Sequence, residues 1–125
     1  TVFCTIADKD KEEALPLIRR FYNMGFNIQA TAGTAKFLKA HGVRTHAVRK
    51  LSEGSEEILD SIRQGYVNYI INTRDMNSSG VLSDGYEIRQ CAVENNVTMF
   101  TALDTVKVLL DVLEETTLGI SIIDA

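Results

Sequence analysis

Residues 26–40, with the sequence FNIQATAGTAKFLKA, join a short apolar strand to a short helix. The strand is predicted over Phe26–Ala30 and the helix over Thr34–Ala40, and the turn between them contains Thr31 and Gly33. Glycine lets a backbone turn closely, and hydroxyl side chains beside the free N–H groups of a helix start can hold a phosphate. An ordinary threonine N-cap produces the same pattern. The stretch therefore predicts a strand-to-helix unit but does not decide its function.

The composition is that of one soluble globular domain. The chain has 125 residues, of which 45% are hydrophobic and 24% charged, so it can build a core without disulfides. A net charge of −4 argues against a nucleic-acid partner, and no apolar run is long enough to span a membrane. Cys4 and Cys91 fall in predicted core elements, so we expect reduced thiols and a cytoplasmic location. Because Thr1 already lies in a strand-like run, we expect residues 1–125 to be a single domain cut from a longer polypeptide.

Strand and helix patterns alternate along the chain. The predicted strands are Val2–Ala7, Phe26–Ala30, Thr45–Val48, Val67–Asn72 and Thr98–Phe100, and the predicted helices are Asp10–Met24, Thr34–Ala40, Ser55–Gln64, Asp84–Asn95 and Ala102–Glu115. Asp10 and Glu13 fit a capping box, Gly25 and Gly65 are helix stops, and Leu118–Ile123 would be an edge strand or a tail. This order predicts an α/β fold with a five-stranded parallel sheet between two helix layers, of the Rossmann or flavodoxin type.

Polar residues follow each predicted strand, at the ends where open parallel sheets bind ligands. They are Lys11 after the first strand, Thr31, Gly33 and Thr34 after the second, Lys50 after the third, Asn72, Thr73 and Arg74 after the fourth, and Thr101 after the fifth. Each lysine alone could be a solvated surface charge. Together, three cations beside a turn rich in hydroxyls indicate a small phosphorylated ligand in an otherwise acidic chain. The sequence contains no P-loop, no dinucleotide fingerprint and no clustered metal ligands.

Five segments resemble one known family. They are Ile6–Lys11, Ala30–Ala35, Val48–Gly54, Tyr69–Thr73 and Ile88–Ala92. In order and spacing, over about residues 2–115, they are similar to the methylglyoxal-synthase-like fold. The closer resemblance is to the C-terminal regulatory domain of the large subunit of carbamoyl phosphate synthase. Its most specific part is Lys50, Glu53 and Gly54, followed by a helix and an Ile-Ile-Asn strand end.

The resemblance implies a non-catalytic domain from the C-terminal end of a longer chain. Such a domain binds a phosphorylated nucleotide, of the class of uridine mono- or triphosphate, inosine monophosphate or phosphoribosyl pyrophosphate, and so regulates carbamoyl phosphate synthesis for pyrimidines and arginine. The family's phosphate and ribose contacts correspond to Lys11, Thr31, Thr34, Lys50 and Asn72, with Gly33, Thr73 and Arg74 beside them. Thr101 corresponds to a position near an ornithine-responsive interface.

The resemblance also implies partners and cofactors. No cofactor and no metal are expected in this domain, whereas ATP, magnesium and potassium ions would act in the parent ligase. Its partners would be the nucleotide effector, the other domains of the large subunit, the small glutaminase subunit and further copies in an oligomer. The moving part would be the polar loop from Thr73 to Ser83. Within that loop Arg74 would either clamp an additional phosphate or pair with Asp75 or Asp84.

Two other functions stay open. Methylglyoxal synthase, the lyase of this fold, uses two aspartates and two histidines, and the corresponding positions here are Ser55, Arg74, Ala7 and Val81. Without those groups the lyase reaction would need another base near the rim, such as Asp8, Asp10 or Asp75. The second alternative is a pure interaction domain, in which Thr31 and Thr34 serve only as structural caps.

Overall fold

Five parallel strands form one sheet in a computed structural model that describes residues 1–48, 57–73 and 88–124, with the backbone alone from residue 117. The strands are β1 Val2–Thr5, β2 Ile28–Thr31, β3 Thr45–Val48, β4 Tyr69–Asn72 and β5 Thr98–Phe100. The helices are a 3-10 turn at Asp8–Asp10, α1 Lys11–Asn23, α2 Ala32–Ala40, α3 Glu57–Arg63, α4, described over 88–94, and α5 Leu103–Asp124. The predicted α/β fold with a five-stranded parallel sheet is confirmed.

The strand order is β3-β2-β1-β4-β5, with β1 at the centre. Cys4 of β1 lies opposite Ala30 of β2 on one side and Ile71 of β4 on the other. The chain steps outward from β1 to β2 and β3, then returns to β4 on the other side of β1 and continues to β5. The winding direction therefore reverses between β1 and β4. Ligands of such sheets bind beside this reversal, at the carboxyl ends of the strands, here called the carboxyl edge.

The core has two layers because successive side chains of a strand point to opposite faces of the sheet. On one face Cys4 packs with buried residues of α1, α2 and α5, including Ile18 and Leu110. On the other face Phe3 packs with α3 and α4, through residues such as Ile62 and Cys91. Helices therefore cover both faces of the sheet, as the alternating pattern predicts.

The first strand is shorter than predicted. The pattern extends it to Ala7, whereas β1 ends at Thr5. The backbone N–H groups of Ile6 and Ala7 donate to the hydroxyls of Thr34 and Thr73, each at 3.1 Å, instead of to a neighbouring strand. These two side chains end the strand and turn the chain toward α1.

The predicted capping box at Asp10 is wrong. Asp10 precedes α1, but its side chain makes no capping hydrogen bond. An N-cap side chain reaches the helix from an extended backbone, whereas Asp10 has φ −104° and ψ −7° because the 3-10 turn runs directly into α1. The helix stops are confirmed: Gly25 and Gly65 have φ of +99° and +80°, a conformation that glycine adopts without strain.

The C-terminal segment is also helical, so Leu118–Ile123 is not an edge strand, the first of the two alternatives that the sequence left open there. α5 continues without a break to Asp124. The strand preference of isoleucine depends on the neighbours that it packs against, and an existing helix gains one hydrogen bond for each residue that it adds. No proline interrupts this segment. Among the described helices, none combines the length and the apolar composition needed to cross a bilayer.

Candidate functional site

Two threonine hydroxyls fix the loop that follows β1. Thr34, in the first turn of α2, is only 3% exposed; its Oγ1 accepts the Ile6 N–H at 3.1 Å and lies 3.5 Å from the Ile6 carbonyl oxygen. Thr73 accepts the Ala7 N–H at 3.1 Å, and its own N–H donates to the Thr5 carbonyl at 3.1 Å. The loop is therefore attached to α2 on one side and to the end of β4 on the other.

An ammonium group lies beside the start of α2. Lys11 is the first residue of α1, and its side chain is 17% exposed. Its Nζ lies 3.7 Å from the point that a Cβ on Gly33 would occupy. Gly33 is the second residue of α2, where backbone N–H groups have no acceptor within the helix. Thr31 precedes the helix and makes no capping hydrogen bond from its side chain. The Lys11 ammonium therefore lies beside the N-terminus of α2, which the Thr31 side chain does not cap.

Lys11 already has an acidic neighbour. Its Nζ pairs with Oδ1 of Asp8, three residues earlier in the 3-10 turn. The Asp8 side chain is 93% exposed, so the carboxylate reaches the ammonium from the solvent side. The charge of Lys11 is therefore compensated locally within the chain.

The other half of the carboxyl edge is acidic. A cavity of about 300 Å³ lies between the ends of β4 and β5 and the starts of α1 and α5. Its polar lining residues are Lys9, Asp10, Glu13, Thr73, Thr101 and Asp104. With three carboxylates and one ammonium, this half does not attract anions. In the described edge the excess of carboxylates therefore lies near α5, whereas the part near α2 holds the Lys11–Asp8 ion pair beside the start of that helix.

The predicted site residues are distributed over both parts. Lys11, Thr31, Gly33 and Thr34 meet at the start of α2, and Thr73 and Thr101 line the acidic cavity. Asn72 is buried at the end of β4, opposite Thr5. Lys50, Arg74 and the positions Ser55 and Val81 lie outside the described residues, as do Asp75, Asp84 and nearly all of the loop from Thr73 to Ser83.

Two of these residues have different roles from those that the sequence predicts. Gly33 does not form a close turn, because it lies inside α2 and is not among the glycines with positive φ. Its missing side chain instead leaves space next to the Lys11 ammonium. The Thr34 hydroxyl is bonded to the backbone of Ile6, so this side chain holds the loop after β1.

Two of the three carboxylates that line the acidic cavity, Glu13 and Asp104, were missed by sequence reasoning. Asp104 lies in the first turn of α5, directly after the fifth strand, and Glu13 lies in the first turn of α1. Both could have been found by the rule that identified Thr101, because they too follow the carboxyl end of a strand. The prediction of a phosphate site depended on the cationic residues, which contrast with the net negative charge of the chain.

The two cysteines take no part in this edge. Both are free and buried, as predicted. Burial raises the pKa of Cys4 to about 12, and desolvation is also the main cause that raises the pKa of Cys91. Neither thiol is therefore an activated nucleophile. In the described ranges, no group of three His, Cys, Asp or Glu side chains is placed to hold a metal ion.

The family model of the MGS-like domain matches residues 13–101. The chain belongs to the MGS-like domain family. A crystal structure of methylglyoxal synthase from Elizabethkingia anophelis NUHP1 has the same fold, with a TM-score of 0.67 and 17% sequence identity, over 87% of this chain and 75% of that chain. The resemblance to the methylglyoxal-synthase-like fold is confirmed. An identity of 17% carries the fold but no activity.

Proposed function

We propose that this MGS-like domain is an allosteric module that binds a phosphorylated nucleotide, and that its parent is the large subunit of carbamoyl phosphate synthase. The observation that carries the proposal is the position of the Lys11 ammonium beside Gly33, at the start of α2. The closer resemblance in sequence, through Lys50, Glu53 and Gly54, supports the choice of parent.

A phosphate suits the start of α2 for two independent physical reasons. Three backbone N–H groups at the start of a helix can donate together to the oxygens of one phosphate. The helix dipole also favours a negative charge there by about 0.3–1 kcal/mol. The Lys11 ammonium adds a charge-assisted hydrogen bond, which contributes about 1.5–3 kcal/mol. The acidic cavity near Thr101 would repel the phosphate, so this charge pattern directs the ligand to α2.

Regulation would follow from linkage, since an effector shifts the parent enzyme only if it binds two conformations unequally. The start of α2 is connected through Thr34 to the loop after β1, and that loop is connected through Thr73 to β4. A ligand that moves α2 would therefore also move the loop after β1 and the end of β4, which lie on the two sides of the reversal. The synthetase domains of the parent would receive this movement.

A methylglyoxal-synthase-type lyase is the second candidate, because the structural match is to such an enzyme. The lyase must abstract a proton next to a carbonyl and return one to the product, which needs carboxylate and imidazole side chains. The corresponding described position is Ala7, whose side chain can do neither and whose N–H is held by Thr73. Release of inorganic phosphate from dihydroxyacetone phosphate by the purified chain would establish this second function.

Calorimetric titration tests the first candidate. The chain is titrated with uridine mono- and triphosphate, inosine monophosphate and phosphoribosyl pyrophosphate, and the titrations are repeated on Lys11→Ala and Lys39→Ala. Lys39 is exposed near the far end of α2 and controls for net charge. We expect saturable binding of at least one ligand, weakened about tenfold or more in Lys11→Ala, since one charge-assisted contact contributes about 1.5–3 kcal/mol. Equal weakening in both variants, or no binding to the wild type, would contradict the proposal.

A further inference from the structure

The contact between Asp8 and Lys11 places a carboxylate where a ligand phosphate would have to bind. Lys11 Nζ pairs with Asp8 Oδ1 on one side and lies beside Gly33 on the other. We propose that Asp8 is an intramolecular competitor, which occupies Lys11 in the empty site and must leave before an anion takes its place. This inference rests on the proposed function, because it requires Lys11 to bind the ligand.

The exposure of the two side chains determines which of them moves. Asp8 is 93% exposed, so its carboxylate can turn away from Lys11 on the solvent side. Lys11 is 17% exposed, and its stem is packed at the start of α1. The ammonium therefore stays beside α2 while the carboxylate exchanges with the ligand.

The strength of the competition follows from the nature of the pair. An exposed ion pair three residues apart changes an equilibrium by no more than about fivefold. A phosphate that also accepts hydrogen bonds from the N–H groups of α2 displaces the Asp8 carboxylate. The competition still lowers the affinity for that phosphate by the same factor. Asp8 would therefore reduce the affinity of the site for every anion that uses Lys11, and it would keep the ammonium paired while the site is empty.

The experiment is a double-mutant cycle on Asp8 and Lys11. Wild type, Asp8→Asn, Lys11→Ala and the double variant are titrated with inorganic phosphate and with uridine monophosphate at low ionic strength, where surface charges are least screened. Binding is followed by the NMR signals of the Gly33 and Thr34 amides. Asp10→Asn is the matched control, since it removes the same charge two residues away and its carboxylate makes no capping hydrogen bond.

We expect Asp8→Asn to tighten binding of both probes about twofold to fivefold, and Asp10→Asn to change it by less than twofold. In the Lys11→Ala background the Asp8 substitution should lose this effect. Unchanged or weaker binding in Asp8→Asn would overturn the competition, as would equal tightening in Asp10→Asn. If wild-type binding still depends on Lys11 in that case, the proposed function survives alone. If neither probe shifts the two amides in wild type or in Asp8→Asn, the competition is overturned, and if the calorimetric titrations with all four ligands also show no binding, the proposed function fails with it.

Discussion

Two sets of polar contacts hold helices in place in this molecule, and they differ in burial. At the carboxyl edge, the buried hydroxyl of Thr34 attaches α2 to the backbone of Ile6. On the outer side of the helix layer, Arg20 of α1 bonds two carboxylates of α5. The first contact is neutral and excluded from water, whereas the second is charged and partly exposed.

The Arg20 contact has the better geometry of the two. Its Nε and Nη2 donate to the two oxygens of Glu114 at 2.7 and 2.9 Å, and Nη2 also donates to Asp111 at 2.7 Å. These bonds raise the pKa of Arg20 and lower that of Glu114. Yet these side chains are partly exposed, and water and salt weaken even a bidentate ion pair when it is exposed. We therefore expect burial, rather than the number of bonds, to decide how much each polar contact stabilises this fold.

The largest effect is expected from Thr34→Val. The substitution keeps the shape of the side chain but leaves the buried N–H of Ile6 without an acceptor, which costs about 1–3 kcal/mol. The free energy of unfolding should fall by this amount in urea titrations followed by far-ultraviolet circular dichroism.

Thr105→Val provides the matched control for Thr34→Val, because Thr105 is exposed on α5. Exposed substitutions of this kind change stability by about 0.5 kcal/mol or less. If Thr34→Val and Thr105→Val destabilise the protein equally, the buried hydroxyl of Thr34 contributes no more to stability than an exposed hydroxyl.

Much of the fold could be predicted because it depends on local patterns. The bounds of β3 and β5 agree with the predicted Thr45–Val48 and Thr98–Phe100, and Gly25 ends α1 as expected. Each of these features depends on apolar periodicity or on a backbone conformation within a few residues. The edge strand at Leu118–Ile123, one of two alternatives there, does not form because an existing helix continues through this segment.

The contacts that build the site could not be predicted, because they join distant parts of the chain. Ile6 and Thr34 are 28 residues apart, and Ala7 and Thr73 are 66 residues apart. Nothing local indicates that these threonines serve the backbone after β1 rather than a ligand. The pairing of Asp8 with Lys11 is different, since residues three apart at the start of a helix are neighbours. That contact was within reach of sequence reasoning and was missed.

A smaller effect is expected from Thr73→Val. Ala7 loses the acceptor for its N–H, but the bond is only partly buried, so water can replace it. The expected loss in the free energy of unfolding is about 0.5–1.5 kcal/mol, less than for Thr34→Val. The Ala7 amide should also exchange its hydrogen faster than in the wild type.

Thr98→Val is the control for Thr73→Val, because Thr98 is exposed on β5. In Thr98→Val, the amides near Ala7 should exchange their hydrogens at the same rate as in the wild type. If Thr73→Val lowered the free energy of unfolding as much as Thr34→Val or more, the degree of burial would not determine the order of the two effects.

The smallest effect on stability is expected from the cluster of Arg20, Asp111 and Glu114, here called the Arg20 cluster. A change of pH tests this effect. The bonds from Arg20 hold the pKa of Glu114 below its ordinary value of 4.5, so the folded protein binds this proton less readily than the unfolded chain. The stabilisation is therefore present above about pH 4.5 and is lost as the pH falls through the lowered pKa of the folded state. Glu114→Gln should be slightly less stable than wild type at pH 7, and the difference between the two should shrink as the pH falls below 4.5.

Salt provides the second test of the Arg20 cluster. Arg20→Gln should destabilise the protein less than Thr73→Val at low ionic strength, and the difference from wild type should shrink in 1 M NaCl because the charges are screened. Lys107→Gln removes the same charge from an exposed position of α5 and should have no such salt dependence. If Arg20→Gln proved more damaging than Thr34→Val, and equally so in high salt, the ion cluster would behave as a buried contact, and exposure would no longer explain the difference between the two regions.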